Sequence, residues 1–551
     1  MSVKGRKARL AVTAGLAAAL ALGGVVAPVA QAYADGNYTV TIESTSDYKV
    51  EGQYKVYRLF TGSFADTNTD NGKMGNAVAN DSYREDMRTV LNEFLADANK
   101  VPAVDAAHSQ LVVDTAIADG IAGLPDATTK QKFANKLAAA LKDKTESTSV
   151  NAVDGTLSVT GLEAGYYLIV NPDVEKNAMT SAILVPVNHN REVSIKTSTP
   201  TVTKQVKVSN EDYKKNTDVG LTSATTVEKL TYKLEGTVAS NIDDYGAYKY
   251  VFKDTLPKGV TADADRVAQW NVTCKVAYNG AEYAIPEGRF AVSFATNSTA
   301  NTTEISWTCA NLVKAMNDAG LSSNHGDASI ILEYTPNYTA EELRNALPNA
   351  GMASVNNKVE LEYSNNPYTG GAGSTATTPA DESKVYTYKL ALNKVKADAD
   401  NGTTSLTGAK FTLRRAGAEV FTDLGVGDDG TLAFAGLDSG VEYELSETTV
   451  PAGMKSIDPI KFKITAAKDD ATGEVTSVKV NTGDVTDNSH AATFDADSKF
   501  DDNVIHITVK NIEGADLPVT GQQGIVAGVA VGGIVLTVSL VAISRNRKRS
   551  E

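Results

Sequence analysis

The sequence predicts a mainly β protein of tandem immunoglobulin-like β-sandwich domains, the N-terminal one α+β with inserted helices, framed by an N-terminal signal peptide and a C-terminal transmembrane helix. Three observations predict it. Apolar and polar residues alternate with period two in short runs separated by Gly, Asp and Asn across most of the 551 residues. Helical spacing is confined to a few stretches, most of them in the first third. Each terminus carries an apolar run with basic residues beside it.

Taken in order, Lys4, Arg6, Lys7 and Arg9 form a basic segment, and Leu10 to Ala30 is rich in Ala, Leu and Val. Ala30-Gln31-Ala32 or Ala32-Tyr33-Ala34 then supplies a small-residue cleavage site, so residues 1–34 read as a secretory signal. In residues 35–197, β-patterned ends (Tyr38-Thr39-Val40-Thr41-Ile42 and Gly165-Tyr166-Tyr167-Leu168-Ile169-Val170) flank a helical middle. Tyr83 to Ala98 carries Met87, Val90, Leu91, Phe94 and Leu95 at helical spacing, and Thr129 to Leu141 carries Phe133, Leu137 and Leu141. Residues 198–382 read as alternating strand with one short helix near Ala340 to Leu347, closing on the flexible stretch Thr369-Gly370-Gly371-Ala372-Gly373-Ser374. Residues 383–515 have short alternating segments and turns such as Asp428-Asp429-Gly430, the texture of a small β-sandwich. Residues 516–551 hold Leu517-Pro518-Val519-Thr520-Gly521, an apolar run over 524–543, and Arg545, Arg547, Lys548 and Arg549. About 20 apolar residues span a bilayer core. The basic cluster beside the span stays cytoplasmic, so everything before Leu517 is expected outside.

Removing both ends deletes eight basic residues and one acidic one, which takes the net charge from -15 to -22. Such a surface repels nucleic acid and anionic lipid. The two cysteines, Cys274 and Cys309, allow one disulfide at most. They lie in the alternating stretches Trp270-Asn271-Val272-Thr273-Cys274 and Ile305-Ser306-Trp307-Thr308-Cys309, and a disulfide between them is the expectation, with two buried thiols as the alternative. Asp66-Thr67-Asn68-Thr69-Asp70-Asn71-Gly72 is close to a calcium loop, but its Gly is one place late and Ala77 stands where the loop needs Glu, so a surface turn is expected. The histidines His108, His189, His325, His490 and His506 show no ligand spacing, and no cysteine lies near them as a nucleophile. No metal, no cofactor and no enzymatic turnover are expected.

The pentapeptide Leu517-Pro518-Val519-Thr520-Gly521, with its span and basic tail, resembles the LPxTG signal of Gram-positive sortase substrates. The resemblance implies that a membrane cysteine transpeptidase cuts between Thr520 and Gly521. It then keeps the Thr carbonyl as a thioester until an amine takes it. The chain is thereby expected to be secreted and covalently anchored to the cell wall.

A second resemblance lies in residues 383–515. Lys394 stands in Tyr388-Lys389-Leu390-Ala391-Leu392-Asn393-Lys394-Val395, followed by Leu406-Thr407-Gly408-Ala409-Lys410-Phe411-Thr412-Leu413, Tyr443-Glu444-Leu445-Ser446-Glu447-Thr448, Pro451-Ala452-Gly453 and Ile507-Thr508-Val509-Lys510-Asn511. This resembles the collagen-adhesin B-type sandwich of Gram-positive pilins, in which a first-strand Lys and a last-strand Asn join as an isopeptide bond beside an acid. Carried over, Lys394 is the nucleophile, Asn511 the electrophile and Glu447 the catalyst. The chemistry asks for these residue types, because an amine attacks only when unprotonated. Burial lowers a Lys pKa and raises a carboxyl pKa by as much as about 3–5 units. The neutral acid can then donate to the Asn carbonyl and help ammonia leave, with the fold supplying proximity.

Residues 198–382 repeat the logic. Pro200-Thr201-Val202-Thr203-Lys204-Gln205-Val206 opens the block, Tyr250-Val251-Phe252-Lys253-Asp254-Thr255 lies inside it, and Val355-Asn356-Asn357-Lys358-Val359-Glu360 closes it. This is similar to the isopeptide-forming second domain of fimbrial shaft subunits and implies Lys204 with Asn357, assisted by Asp254. Glu333 is the rival acid, and the adjacent Asn356 points to the other face of a strand.

Shaft subunits of that family also present an acceptor Lys near the boundary of their first two domains, usually after Tyr-Pro. Here Glu192-Val193-Ser194-Ile195-Lys196-Thr197 lacks the Tyr-Pro, and Lys196 is the choice, with Lys204 or Lys207 next. Together the resemblances imply the structural shaft pilin of a sortase-assembled surface pilus. Its partners would be pilus-specific and housekeeping sortases, other copies of itself, minor pilins and peptidoglycan. The alternative is a wall-anchored adhesin or minor pilin that binds a host glycoprotein or matrix ligand.

Overall fold

The computed structural model describes residues 37–44, 50–64, 73–172, 182–194, 198–342, 352–369, 374–397, 403–469, 472–481, 492–494, 504–515 and 517. The signal peptide, the loop Asp66–Gly72, Lys196, and Pro518, Val519, Thr520 and Gly521 with the span 524–543 lie outside the described residues. No helix among the described residues is long and apolar enough to cross a membrane.

The architecture is mainly β, with tandem layered sheets. The N-terminal part has a three-stranded sheet ordered Thr156–Leu162, Tyr38–Glu43, Arg191–Val193. A second sheet runs Met74–Ala79, Gln53–Phe64, Gly165–Val170, Ile183–Val187, with Thr148–Asn151 beside Gln53–Phe64. Three helices, Arg84–Asn92, Gln110–Ala122 and Ala127–Leu141, are inserted between these strands and share a core formed by Met87, Leu91, Ile117, Phe133, Leu137 and others. The first helix is shorter than its apolar spacing suggests. Asn92 explains the stop, because its side chain donates to the Val101 carbonyl at 2.9 Å and accepts from the Val101 amide at 2.7 Å, folding the chain back. Helix Gln110–Ala122 is absent from the sequence expectation, and its composition shows why. Leu111 and Val112 are exposed while Val113, Ile117 and Ile121 are buried, so apolar residues on both faces blur the period.

Next come two facing sheets. One is ordered Ala281–Ala284, Thr273–Tyr278, Ser329–Tyr334, Leu230–Thr237, Val202–Val208. The other runs Ala291–Asn297, Thr302–Cys309, Tyr250–Thr255, Met352–Ser364. Between them lies an aromatic core with Trp270, Trp307, Tyr232, Tyr334 and Phe252 fully buried. A helix begins at Ala340, and its continuation past residue 342 lies outside the described residues. A further helix, Leu312–Ala319, was not anticipated. The Asn311 side chain caps it by accepting from Lys314 N, Leu312, Ala315 and Met316 bury one face, and Gly320 ends it at φ +105°.

The second sheet does not stop at the expected boundary between residues 382 and 383. Strand Asp381–Ala397 pairs with Met352–Ser364 through its first half and, in parallel, with Val504–Asn511 through its second. One 17-residue strand thus belongs to both sandwiches. The last sandwich is completed by a five-stranded sheet ordered Ala418–Gly425, Lys410–Arg415, Glu442–Thr449, Ile460–Lys468, Val475–Asn481. Polar contacts hold the two sandwiches together. Arg415 binds Asp438 of its own sandwich and Glu228 of the preceding one, at 2.5 and 2.7 Å, and Lys468 reaches Asp218 at 3.0 Å.

The expected disulfide is not formed; Cys274 and Cys309 are free thiols. They lie on opposite sheets of the middle sandwich. Both thiols pack as small apolar groups against the core, Cys309 within it and Cys274 at its margin. Burial pushes both thiols up, Cys309 to about 11, so neither is a thiolate at neutral pH.

Candidate cross-linking sites

Strand periodicity places each candidate residue. In Val202–Val208 the inward positions are Val202, Lys204, Val206 and Val208, so a lysine takes an apolar slot. Tyr250, Phe252 and Asp254 face in from Tyr250–Thr255, and Val355, Asn357 and Val359 from Met352–Ser364, while Asn356 is exposed. The same alternation turns Leu390, Leu392 and Lys394 inward on one strand and Ile505, Ile507, Val509 and Asn511 on its parallel neighbour. Lys204, Asp254, Asn357, Lys394 and Asn511 are all completely buried. Charged and amide groups in such positions are costly unless they partner one another.

In the middle sandwich they do so across the two sheets. Lys204 Nζ donates to Asp254 Oδ2 in a short contact. Asn357 Nδ2 donates to Tyr334 Oη at 2.7 Å, and Tyr334 lies 3.1 Å from both Asp254 oxygens and 3.4 Å from Lys204 Nζ. Tyr334 was missing from the sequence expectation. Burial pushes the Lys204 amine down and the Asp254 carboxyl up, each opposed by the partner's charge, which favours the neutral pair. The rival acid Glu333 is not part of the cluster. It lies on the outer face of its strand, accepting from Tyr213 Oη at 2.6 Å and pairing with Lys275 at 3.6 Å.

In the last sandwich, Lys394 Nζ makes a short contact with Asn511 Oδ1 and lies 3.3 Å from the Val509 carbonyl. Asn511 Nδ2 donates to Glu447 at 3.1 Å and to the Lys455 carbonyl at 2.9 Å. That carbonyl can only accept, so it fixes the amide orientation. The sequence expectation had Glu447 donating to the Asn carbonyl; the structure sets it against the amide nitrogen instead. Burial lowers Lys394 to about 8 and raises the half-buried Glu447.

These directions give the cluster a pH signature. The pair of neutral amine and neutral acid holds as many protons as the ion pair, so any reaction needing both neutral forms runs at a level rate between the two pKa values. We expect the rate of Lys394–Asn511 bond formation, followed by mass on freshly synthesised chain, to be bell-shaped. It should fall above about pH 8, where Lys394 loses the last shared proton, and again in acid, where both groups are protonated. A rate that only climbs through pH 8 to a plateau would remove Glu447 from the reaction.

Of the acceptor candidates, Lys204 is enclosed and committed to Asp254. Lys207 is half-buried on the outer face of the same strand, 4.6 Å above the Tyr213 ring. Lys196 lies outside the described residues. Leu517 is 85% exposed.

Residues 389–481 match the family model of the SpaA prealbumin-like fold domain. Among solved structures, the chain is similar to the T6 backbone pilin of serotype M6 Streptococcus pyogenes, at 14% identity over 87% of this chain and 99% of that one, with a TM-score of 0.49. It is similar also to the full-length major pilin SpaD of Corynebacterium diphtheriae, at 15% identity over 87% of this chain and 98% of that one, with a TM-score of 0.43. No curated protein matches the chain. Within a mainly β chain, then, the stretch that opens on the Lys394 strand and contains Glu447 is similar to the SpaA prealbumin-like fold domain.

Proposed function

We propose that this protein is the structural shaft subunit of a cell-wall-anchored pilus. In this reading sortase joins Thr520 to a lysine of the next copy, and two intramolecular isopeptide bonds, Lys204–Asn357 and Lys394–Asn511, lock the subunit from within. The division into domains 35–197, 198–382 and 383–515 belongs to the same reading.

The observation that carries it is the pair of buried Lys–carboxylate–Asn clusters. Each joins a strand near the start of a sandwich to one at its end, Val202–Val208 to Met352–Ser364 and Asp381–Ala397 to Val504–Asn511. A load-bearing subunit gains from such a bond a covalent path past the strands between. In each bond the Lys amine attacks Cγ of the Asn, the new C–N bond forms, the old one breaks and ammonia leaves. Asp254 and Glu447 act as acid–base groups, and the step uses no oxidant and no cofactor. Lys196 is the proposed acceptor, since Lys204 is sealed in its own cluster. The partners are then sortases, further copies, minor pilins and peptidoglycan.

Intact mass of the recombinant mature chain tests the cross-links. Each expelled ammonia removes about 17 Da by stoichiometry, so two losses are expected. Asp254→Ala should abolish one and Glu447→Ala the other. An unshifted wild-type mass would remove both bonds from the account.

A further inference from the structure

The two clusters differ in the group to which the departing nitrogen donates. In the last sandwich the carboxylate accepts directly from the departing nitrogen, Asn511 Nδ2. In the middle one, the hydrogen bond from Asn357 Nδ2 goes to a phenol, and the phenol in turn contacts the carboxylate. The Tyr334 hydroxyl therefore touches all three reacting groups, the nucleophile Lys204, the acid Asp254 and the leaving nitrogen of Asn357. The amide nitrogen only donates, so the hydroxyl accepts from Nδ2 and turns its own proton toward Asp254. The ring is held by Trp307, Tyr232 and Trp270 at centroid distances of 5.2, 5.4 and 5.5 Å, which fixes where the oxygen sits.

We propose that Tyr334 is a third catalytic residue of the middle cross-link and carries a proton from Asp254 to the departing nitrogen of Asn357. This rests on the cross-link reading given above. Nζ of neutral Lys204 attacks Cγ of Asn357, and the nitrogen of the former amide becomes a tetrahedral amine with a free lone pair. The hydrogen bond between it and Tyr334 can then reverse. The phenol gives its proton to Nδ2 as the C–N bond breaks and takes one from the Asp254 carboxyl, and Asp254 recovers a proton from Nζ. One ammonia leaves, one amide remains, and nothing is oxidised or reduced. Burial raises the Tyr334 pKa well above its ordinary value, so the phenol passes a proton along and does not persist as phenolate.

The test is a time course on full mature chain made by cell-free synthesis, following the Lys204–Asn357 and Lys394–Asn511 cross-linked peptides separately by mass. Tyr334→Phe keeps the ring and removes only the hydroxyl. It should slow the middle bond by about 100-fold or more, the range for a positioned acid–base group, and leave the Lys394–Asn511 rate unchanged. Tyr363→Phe is the matched control, because its hydroxyl is buried in the same sandwich and has no hydrogen-bond partner among the described residues; it should react at the wild-type rate. Fluorescence of Trp270 and Trp307, the two tryptophans of the chain, reports whether the pocket still packs. Should Tyr334→Phe fail to pack, the wild type decides: deuterated solvent should slow the middle bond more than the bond that has no phenol. A Tyr334→Phe chain that cross-links at the wild-type rate, equal slowing by both Phe variants, or equal solvent isotope effects would overturn the relay. A wild-type chain with no Lys204–Asn357 peptide would instead overturn the cross-link itself.

Discussion

Asp254→Ala is expected to lower the melting midpoint of the middle sandwich by about 20 °C, a larger effect than any single truncation of its apolar core. Two losses combine. Lys204 is left completely buried without its carboxylate, and removing one partner of a buried pair costs about 3–5 kcal/mol. The cross-link no longer forms, and by analogy with disulfide closure of a loop of about 150 residues this forfeits roughly 5 kcal/mol. The sum rivals the whole stability of an ordinary domain, about 5–15 kcal/mol. A domain of this size shifts by about 2–4 °C per kcal/mol. Glu447→Ala should cost the last sandwich less, because Glu447 is only half-buried and its removal leaves Lys394 with the Asn511 oxygen and a backbone carbonyl. Calorimetry beside intact mass separates the terms. If the Asp254→Ala chain melts within a few degrees of wild type, the cluster contributes nothing of this order.

The second large effect is all-or-none. Cells that make this protein with its cognate sortase should yield a ladder of SDS-resistant species, and Thr520→Ala should abolish it, since the thioester cannot form at the required residue. Lys196→Ala should abolish the ladder too while leaving monomer on the wall, because anchoring needs only the donor end. Lys207→Ala should leave the ladder intact. A ladder that survives replacement of both Lys196 and Lys207 would move the acceptor elsewhere. No ladder with the sortase present would favour the single anchored adhesin.

Much of the architecture was legible in the chain because a strand's period of two is a local property. Lys204 among Val202, Val206 and Val208, and Asn511 after Ile505, Ile507 and Val509, stand out as polar residues in an apolar phase, and the structure buries each of them. Asp254 was the expected acid on the strength of the resemblance, but alternation alone did not separate it from its rival Glu333. Strand Ser329–Tyr334 carries Ile330, Ile331 and Leu332 in succession, so neither phase is marked as the inner one. Tyr334 was illegible for a different reason. A tyrosine in a core strand reads as filler until the facing sheet brings a carboxylate and an amide to its hydroxyl.

The sequence by itself determined the mainly β character, the helical insert and the apolar phase in which Lys204 and Asn511 stand, all of which depend on neighbours within a few positions. Tertiary structure decided what depends on distance between strands far apart in the chain. It left Cys274 and Cys309 as free thiols on opposite sheets, put Asp254 and not Glu333 beside Lys204, turned the Asn511 amide nitrogen toward Glu447, and ran strand Asp381–Ala397 through two sandwiches without a break. Alternation says which side of a strand is wet; only the packing of one sheet on another says which side chains meet.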